Sequence, residues 1–181
     1  MNAFIMHIGS PGNVDVQYTI TGRRNLREIY GKLAPSTLER KYFDPRGPLS
    51  KIFPDGDFNC WGVPSRAKPA FDKTEVGDVV LFVPSLEEGV KQMGIVKEKC
   101  PFRCDTVSPI LWPATPNQRL FPFIYFFNTE EVDRGWSAFL DDLMISPNWQ
   151  PRGWYKKLRT ARFTKWGGVE GYVEHLRNER G

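Results

Sequence analysis

The sequence predicts an α/β protein of the α+β kind: a small curved sheet or open β-barrel of about six strands, with helices packed around it. Three observations carry this. Aromatic residues make up 14% of the 181 residues and 15 are prolines, the usage of a strand-rich chain with many turns. Short apolar or alternating runs cluster in the middle of the chain. Runs at helical spacing lie toward both ends.

Ala3–Ile8 (AFIMHI) reads as a buried strand. Val14–Ile20 (VDVQYTI) alternates strictly, with Val14, Val16, Tyr18 and Ile20 on one face, and reads as a half-buried strand. Leu26, Ile29, Tyr30 and Leu33 fall at helical spacing, and Ser36 with Glu39 has the pattern of a capping box for a second short helix. The Pro/Gly-rich stretch Phe43–Phe58 reads as a long loop. Gly77-Asp78 turns into an apolar strand, and MGIVKEK (Met93–Lys99) is its neighbour across an acidic hairpin loop holding Glu87, Glu88 and Gly89. FPFIYFF (Phe121–Phe127) is a further strand starting at a proline, where no ladder donor is missed. Asp133 is placed to cap a helix with Trp136, Phe139, Leu140, Leu143 and Met144 on one stripe. A last helix, about 168–179, carries Val169, Tyr172, Val173 and Leu176 on its apolar face.

The length suits one domain over 1–181, with a core at about 1–148. No apolar run approaches the roughly 18 residues of a membrane helix. The start, MNAFIMHIGSPG, lacks the basic leader and apolar core of a signal peptide, so the chain is expected in the cytoplasm, with no membrane partner. Cys60, Cys100 and Cys104 are an odd count, which argues against a disulfide framework. His7 and His175 pair with no cysteine, so a four-ligand zinc site is not expected, nor any other cofactor. There is no GxxxxGK[ST], GxGxxG or GxSxG motif and no triad pattern. The single E-x-K, Glu39-Arg40-Lys41, lies on a helix-like segment. The chain reads as a binding module without catalytic residues.

Charge is uneven. Residues 1–148 carry 17 basic and 18 acidic side chains, whereas 149–168 carry six basic and no acidic ones. Arg152, Lys156, Lys157, Arg159, Arg162 and Lys165, interleaved with Trp149, Trp154, Tyr155 and Trp166, have the footprint of a contact to a nucleic-acid backbone. The ordinary alternative is a solvated charged face over buried aromatics.

Trp61 is followed by Gly62 and Pro64, and Trp112 by Pro113, so both sit at strand ends beside residues that break a regular element. Core packing is the common fate of a tryptophan. Here, however, NCWGVPSRAKPAF, then GDVVLFVPS, a hairpin, MGIVKE, SPILWP and FPFIYFF resemble, in order and spacing, a YTH domain. That is the N6-methyladenine reader of the PUA-like superfamily, near the EVE and ASCH domains. The resemblance covers about residues 58–127 plus the first strand.

The resemblance implies a PUA/YTH-like fold and an aromatic cage that takes a flipped methylated base. Trp61 and Trp112 would be its walls, and Leu120 or Phe121 would close it. The Gly62 carbonyl would accept from the methylated amine, and Ser10 and Asn13 would read the base edge. Such domains also occur as N-terminal modules of McrB-type modification-dependent restriction proteins. The expected partner is therefore nucleic acid, DNA in preference to RNA, together with other domains of a longer protein and a nuclease subunit. An RNA-binding YTH/EVE-type domain, or a small-ligand or protein-interaction module using the same pocket, is the alternative. The resemblance favours N6-methyladenine and leaves 5-methylcytosine open.

Overall fold

The computed structural model describes residues 1–8, 14–113, 120–151 and 155–179; Ser10, Asn13, Arg152 and Trp154 lie outside them. In chain order, β1 (Ala3–His7) is followed by a helical turn, α1 (Val14–Val16), that continues as a π-helix over Gln17–Thr21. The strand expected over Val14–Ile20 is thus helical. Val16, Thr19 and Ile20 are buried at helical spacing, and Tyr18, which strict alternation put inside, is 50% exposed. Thr19 Oγ1 donates to the Asp15 carbonyl one turn back at 2.7 Å.

A two-residue strand β2 (Arg24–Asn25) leads into α2 (Leu26–Lys32), capped by the Asn25 side chain accepting from Arg27 N. The next helix, α3 (Leu38–Tyr42), is capped by Thr37, not Ser36, through Oγ1 accepting from Arg40 N. Glu39 is spent elsewhere. The expected loop over Phe43–Phe58 contains α4 (Pro48–Ile52), which starts on a proline whose missing N–H costs nothing there. The strand β3 (Asp57–Val63), α5 (Lys68–Lys73), β4 (Val79–Val83) and β5 (Val90–Lys99) follow. Then α6 (Ser108–Leu111) covers SPIL, so Trp112 ends a one-turn helix rather than a strand; Pro109 is tolerated in a first turn.

The long strand β6 (Phe123–Arg134) begins with five buried residues, Phe123 to Phe127, and ends in polar ones. In α7 (Trp136–Asp142) the N-cap is Gly135. The expected cap, Asp133, pairs instead with Lys91, and Met144, expected on the apolar stripe, lies past the helix end, 60% exposed with φ 49°. Last come β7 (Tyr155–Lys157), a 3₁₀ segment over Thr160–Trp166, and α8 (Val169–Asn178), whose four predicted apolar residues are all buried.

The hydrogen-bonded strand order is β2-β3-β6-β5-β4-β1-β7, an open sheet of seven strands. β1 is parallel to β4 and antiparallel to β7; β3 is antiparallel to β6, with Trp61 opposite Tyr125 and Gly62 opposite Ile124. No helix among the described residues is long and apolar enough to cross a membrane.

The chain divides into two compact units. The first comprises Met1–Pro11, Gly77–Ile95 and Thr129–Gly181. Its core gathers Ile5, Leu81, Met93, Phe139, Phe163 and Tyr172 with their neighbours. A buried polar cluster centres on Asp142, which is 6% exposed. Asp142 accepts from Arg134 Nε and Nη2, both at 2.8 Å, and from the Tyr172 hydroxyl at 3.1 Å. Burial, then the Asp142 charge, pushes the Tyr172 phenol far above its ordinary value.

The second unit comprises Gly12–Val76 and Val96–Asn128. Its core is aromatic, with Phe58, Phe43 and Phe53 packed on Phe126 at centroid distances of 5.4 to 6.5 Å. Cys100 and Cys104 are joined as a disulfide, and Cys60 is free and buried. An odd count rules out a framework, not one local bridge. Cys100 N and Cys104 N donate to the Ile124 and Pro122 carbonyls at 2.8 and 2.9 Å, which brings both residues to the start of β6. Burial pushes the Cys60 thiol far above its ordinary value, so it is an inert core group.

Candidate nucleic-acid interface

The aromatic cluster is built within the second unit. Four of the residues singled out in the sequence come together there: Trp61, Gly62, Trp112 and Phe121. The Trp61 and Trp112 ring centroids lie 6.3 Å apart at 73°, and Trp112 meets Phe121 at 5.8 Å and 80°. Both are edge-to-face contacts, the geometry aromatic quadrupoles favour. A glycine is required at 62 because a Cβ there would lie 2.6 Å from Trp112 Cη2 and 2.6 Å from both Cβ and the carbonyl oxygen of Phe121. Leu120 stands beside this cluster in the chain and is 37% exposed.

The two indoles differ in freedom. Trp61 is half-buried, whereas Trp112 is 3% exposed and belongs to the core of its unit. Trp112 Nε1 donates to Thr19 Oγ1 at 3.3 Å, and that hydroxyl spends its own proton on the Asp15 carbonyl. The segment leading to Trp112 is fastened along its length. The buried Glu39 carboxylate accepts from Thr106 N at 2.8 Å, from Thr106 Oγ1 and from Val107 N at 3.4 Å. Arg24 Nη2 donates to the Ile110 carbonyl at 3.3 Å, and Ser108 Oγ accepts from Phe121 N at 2.8 Å. Asn59, 2% exposed, ties the π-helical turn to β3 by donating to the Ile20 and Gly22 carbonyls at 3.0 and 2.7 Å.

The sequence does not point to Thr19, Glu39, Ser108 and Arg24 as the groups that hold Trp112. Thr19 sat on the outer face of a misread strand. Glu39 has the spacing of a cap partner for Ser36, three residues back, whereas its real partners, Thr106 and Val107, lie 67 and 68 residues on. The available signal was weak: a polar residue inside an apolar segment, with no way to tell burial from exposure.

A base sandwiched between two rings needs parallel faces roughly 7 Å apart, twice an ordinary carbon contact distance of about 3.5 Å. At 73° the two indoles instead touch each other directly.

The basic segment belongs to the first unit. Lys156 and Lys157 lie on β7, opposite Ile5 and Phe4 of β1, and both are exposed, as are Arg159 and Lys165. Their ammonium groups lie over rings: Lys156 over Trp149 at 5.4 Å, Lys165 over Trp166 at 4.7 Å. Arg162 differs from the expectation. It is half-buried, and its guanidinium donates to the carbonyls of Leu143, at 3.4 Å, and Met144, just past the end of α7. Three aromatics of this window, Trp149, Tyr155 and Trp166, pack against neighbouring rings. Trp149 stacks on Trp136 at 5.8 Å, Tyr155 on Phe4 at 5.0 Å and Trp166 on His175 at 3.9 Å. Among the described residues no group of three or more His, Cys, Asp or Glu is placed to hold a metal ion.

Neither a scan of family models nor a search of curated proteins finds a match to this chain. Among solved structures, the chain is similar to the N-terminal domain of Thermococcus gammatolerans McrB bound to m5C DNA. The TM-score is 0.64 and the identity 18%, over 98% of this chain and 98% of that one. The likeness is one of fold, and it agrees with the α+β architecture read from the sequence.

Proposed function

We propose that this chain is a methylated-DNA-binding module, the targeting part of a modification-dependent restriction assembly. It contacts DNA in preference to RNA, in the cytoplasm, and any GTPase or nuclease chemistry lies in other domains or in a partner nuclease subunit. The observation that carries the reading is the fold shared over nearly the whole of both chains with a domain seen bound to m5C DNA. Trp61 and Trp112 support it, because their rings meet in one unit beside the crowded backbone of Gly62.

The modified base is flipped from the stack and laid against Trp61. Trp112 is the fixed wall, held by Thr19. A full sandwich needs Trp61 to turn toward parallel, which its half-buried position permits and the burial of Trp112 does not. Leu120 and Phe121 close the pocket, the Gly62 carbonyl accepts from the methylated amine, and Ser10 and Asn13 read the base edge. Stacking contributes ~1–3 kcal/mol per base, and the methyl group ~0.8 kcal/mol. N6-methyladenine is the first reading; 5-methylcytosine is the second, favoured by the ligand of the similar structure. Lys156, Lys157, Arg159 and Lys165 contact phosphates; Arg152, outside the described residues, is a further candidate. Arg162 serves chiefly to hold the end of α7.

The test is titration of the chain with oligonucleotides carrying N6-methyladenine, 5-methylcytosine or no modification, as DNA and as RNA, at two salt concentrations. One methylated DNA is expected to bind at least about 4-fold tighter than its unmodified twin, the factor that ~0.8 kcal/mol supplies. Each lysine of the segment replaced by alanine should reduce the salt slope by about 0.9 on duplex DNA. Equal affinity for all modified and unmodified strands contradicts the reading.

A further inference from the structure

A cavity of about 380 Å³ opens beside the segment that carries Trp112. Its volume is in the range of small-ligand sites, roughly 300–1,000 Å³. One wall is apolar: Pro109, Ile110 and Pro113. Tyr18 lines it as well, half exposed, with the Arg24 guanidinium carbon 5.7 Å from its ring centroid.

The remaining wall is charged, formed by Arg24, Glu28 and Lys32. The Arg24 side chain is 7% exposed. Its Nη2 donates to Glu28 Oε1 at 2.7 Å and to the Ile110 carbonyl at 3.3 Å, while Nε is buried with no acceptor among the described residues. A buried donor left unspent is uncommon in a folded protein and calls for a partner such as a water, an ion or a ligand. Glu28 Oε1 also accepts from Lys32 Nζ at 2.8 Å, so one carboxylate faces two cations and the wall keeps a net positive charge. The Lys32 and Glu28 side chains are 55% and 41% exposed, and such surface pairs contribute little. Lys32 can therefore turn to an incoming anion at small cost.

An exposed aromatic face, an apolar wall and a cationic edge are the complement of one nucleotide. We infer that this cavity is a second nucleotide subsite, with the base on Tyr18 between Pro109 and Pro113 and the phosphate at Lys32, beside the Arg24 charge. Resting on the reading of the chain as a DNA binder, the occupant is the nucleotide next to the modified base in the same strand. Ile110 and Pro113 bracket Trp112 in the chain, and Tyr18 adjoins the Thr19 that holds the Trp112 indole.

The experiment has two arms, each on wild type, Tyr18→Ala and Lys32→Glu, whose unchanged thermal melts report an intact fold. The first arm titrates 2′-deoxyadenosine 5′-monophosphate alone and reads tyrosine fluorescence and two-dimensional NMR. Saturable binding by wild type is expected, weakened about 5- to 150-fold in Tyr18→Ala, the range of a lost stacking contact. No binding, or equal binding by wild type and Tyr18→Ala, overturns the subsite. The second arm uses methylated oligonucleotides with an abasic residue on one side or the other of the modified base. One of the two is expected to weaken wild type by a factor in that same range and to leave Tyr18→Ala unaffected. Losses that multiply in the double change, or no loss at either neighbour, overturn the link to the DNA strand. If methylated and unmodified oligonucleotides bind alike while the first arm behaves as expected, the methylated-DNA reading falls and the nucleotide subsite stands.

Discussion

Trp112→Ala is expected to lower the unfolding free energy by about 3–5 kcal/mol, the cost of truncating a buried large aromatic. The indole is 3% exposed, lies against the Gly62 backbone, and meets both Trp61 and Phe121 edge-on. Nothing can collapse readily into the gap, because the segment on either side is tied to Glu39, Arg24 and Ser108. Thr19 keeps one partner, the Asp15 carbonyl, so the loss is mainly one of packing. Trp112→Phe should cost less, about 1–2 kcal/mol, since a ring remains and only the bond to Thr19 and some contact area go. Denaturant melts of the two variants check this. A loss below about 1 kcal/mol for Trp112→Ala would mean the indole is not packed as described.

The second large effect is Asp142→Ala, with an expected loss of about 3–5 kcal/mol, because removing one partner of a buried pair strands the other. Asp142 takes two bonds from Arg134 and one from Tyr172, with His175 Nε2 3.6 Å away. Its removal leaves the Tyr172 hydroxyl buried without that acceptor, and Arg134 held by Glu179 alone among these carboxylates. Asp142→Asn keeps an acceptor for Tyr172 and should lose less. The double variant Arg134→Met/Asp142→Leu removes both charges at once, and thermal melts should place it above Asp142→Ala. A double variant no more stable than Asp142→Ala would show that the cost lies elsewhere than in the stranded guanidinium.

Legibility in the sequence followed the physics of periodicity. The apolar face of α8 was readable because Val169, Tyr172, Val173 and Leu176 repeat at helical spacing, and one side of a helix can bury them together. β4 was readable because five consecutive apolar residues bounded by a turn admit little else. Val14–Ile20 was not, since seven residues that alternate strictly also place Val16 and Ile20 one helical turn apart. What decided it was the placement of Thr19 and Tyr18, which depends on contacts remote in sequence. The site divided in the same way. That Trp61, Gly62, Trp112 and one of Leu120 or Phe121 would meet is what the resemblance to a YTH domain implies. The resemblance does not imply that one indole is a fixed core element and the other half-buried, because that rests on Thr19, Glu39 and Arg24 reaching across 93, 67 and 86 residues of chain.

In the proposed function, Trp61 is the surface against which the methylated base lies. The direct measurement is the ratio of affinities for methylated over unmodified DNA, in wild type and in Trp61→Ala. The ratio is expected to fall to about 1 in Trp61→Ala, with methylated-strand affinity lowered by about 5- to 150-fold and salt-dependent binding of unmodified DNA retained. A variant that loses no discrimination, its ratio equal to that of wild type, would contradict it.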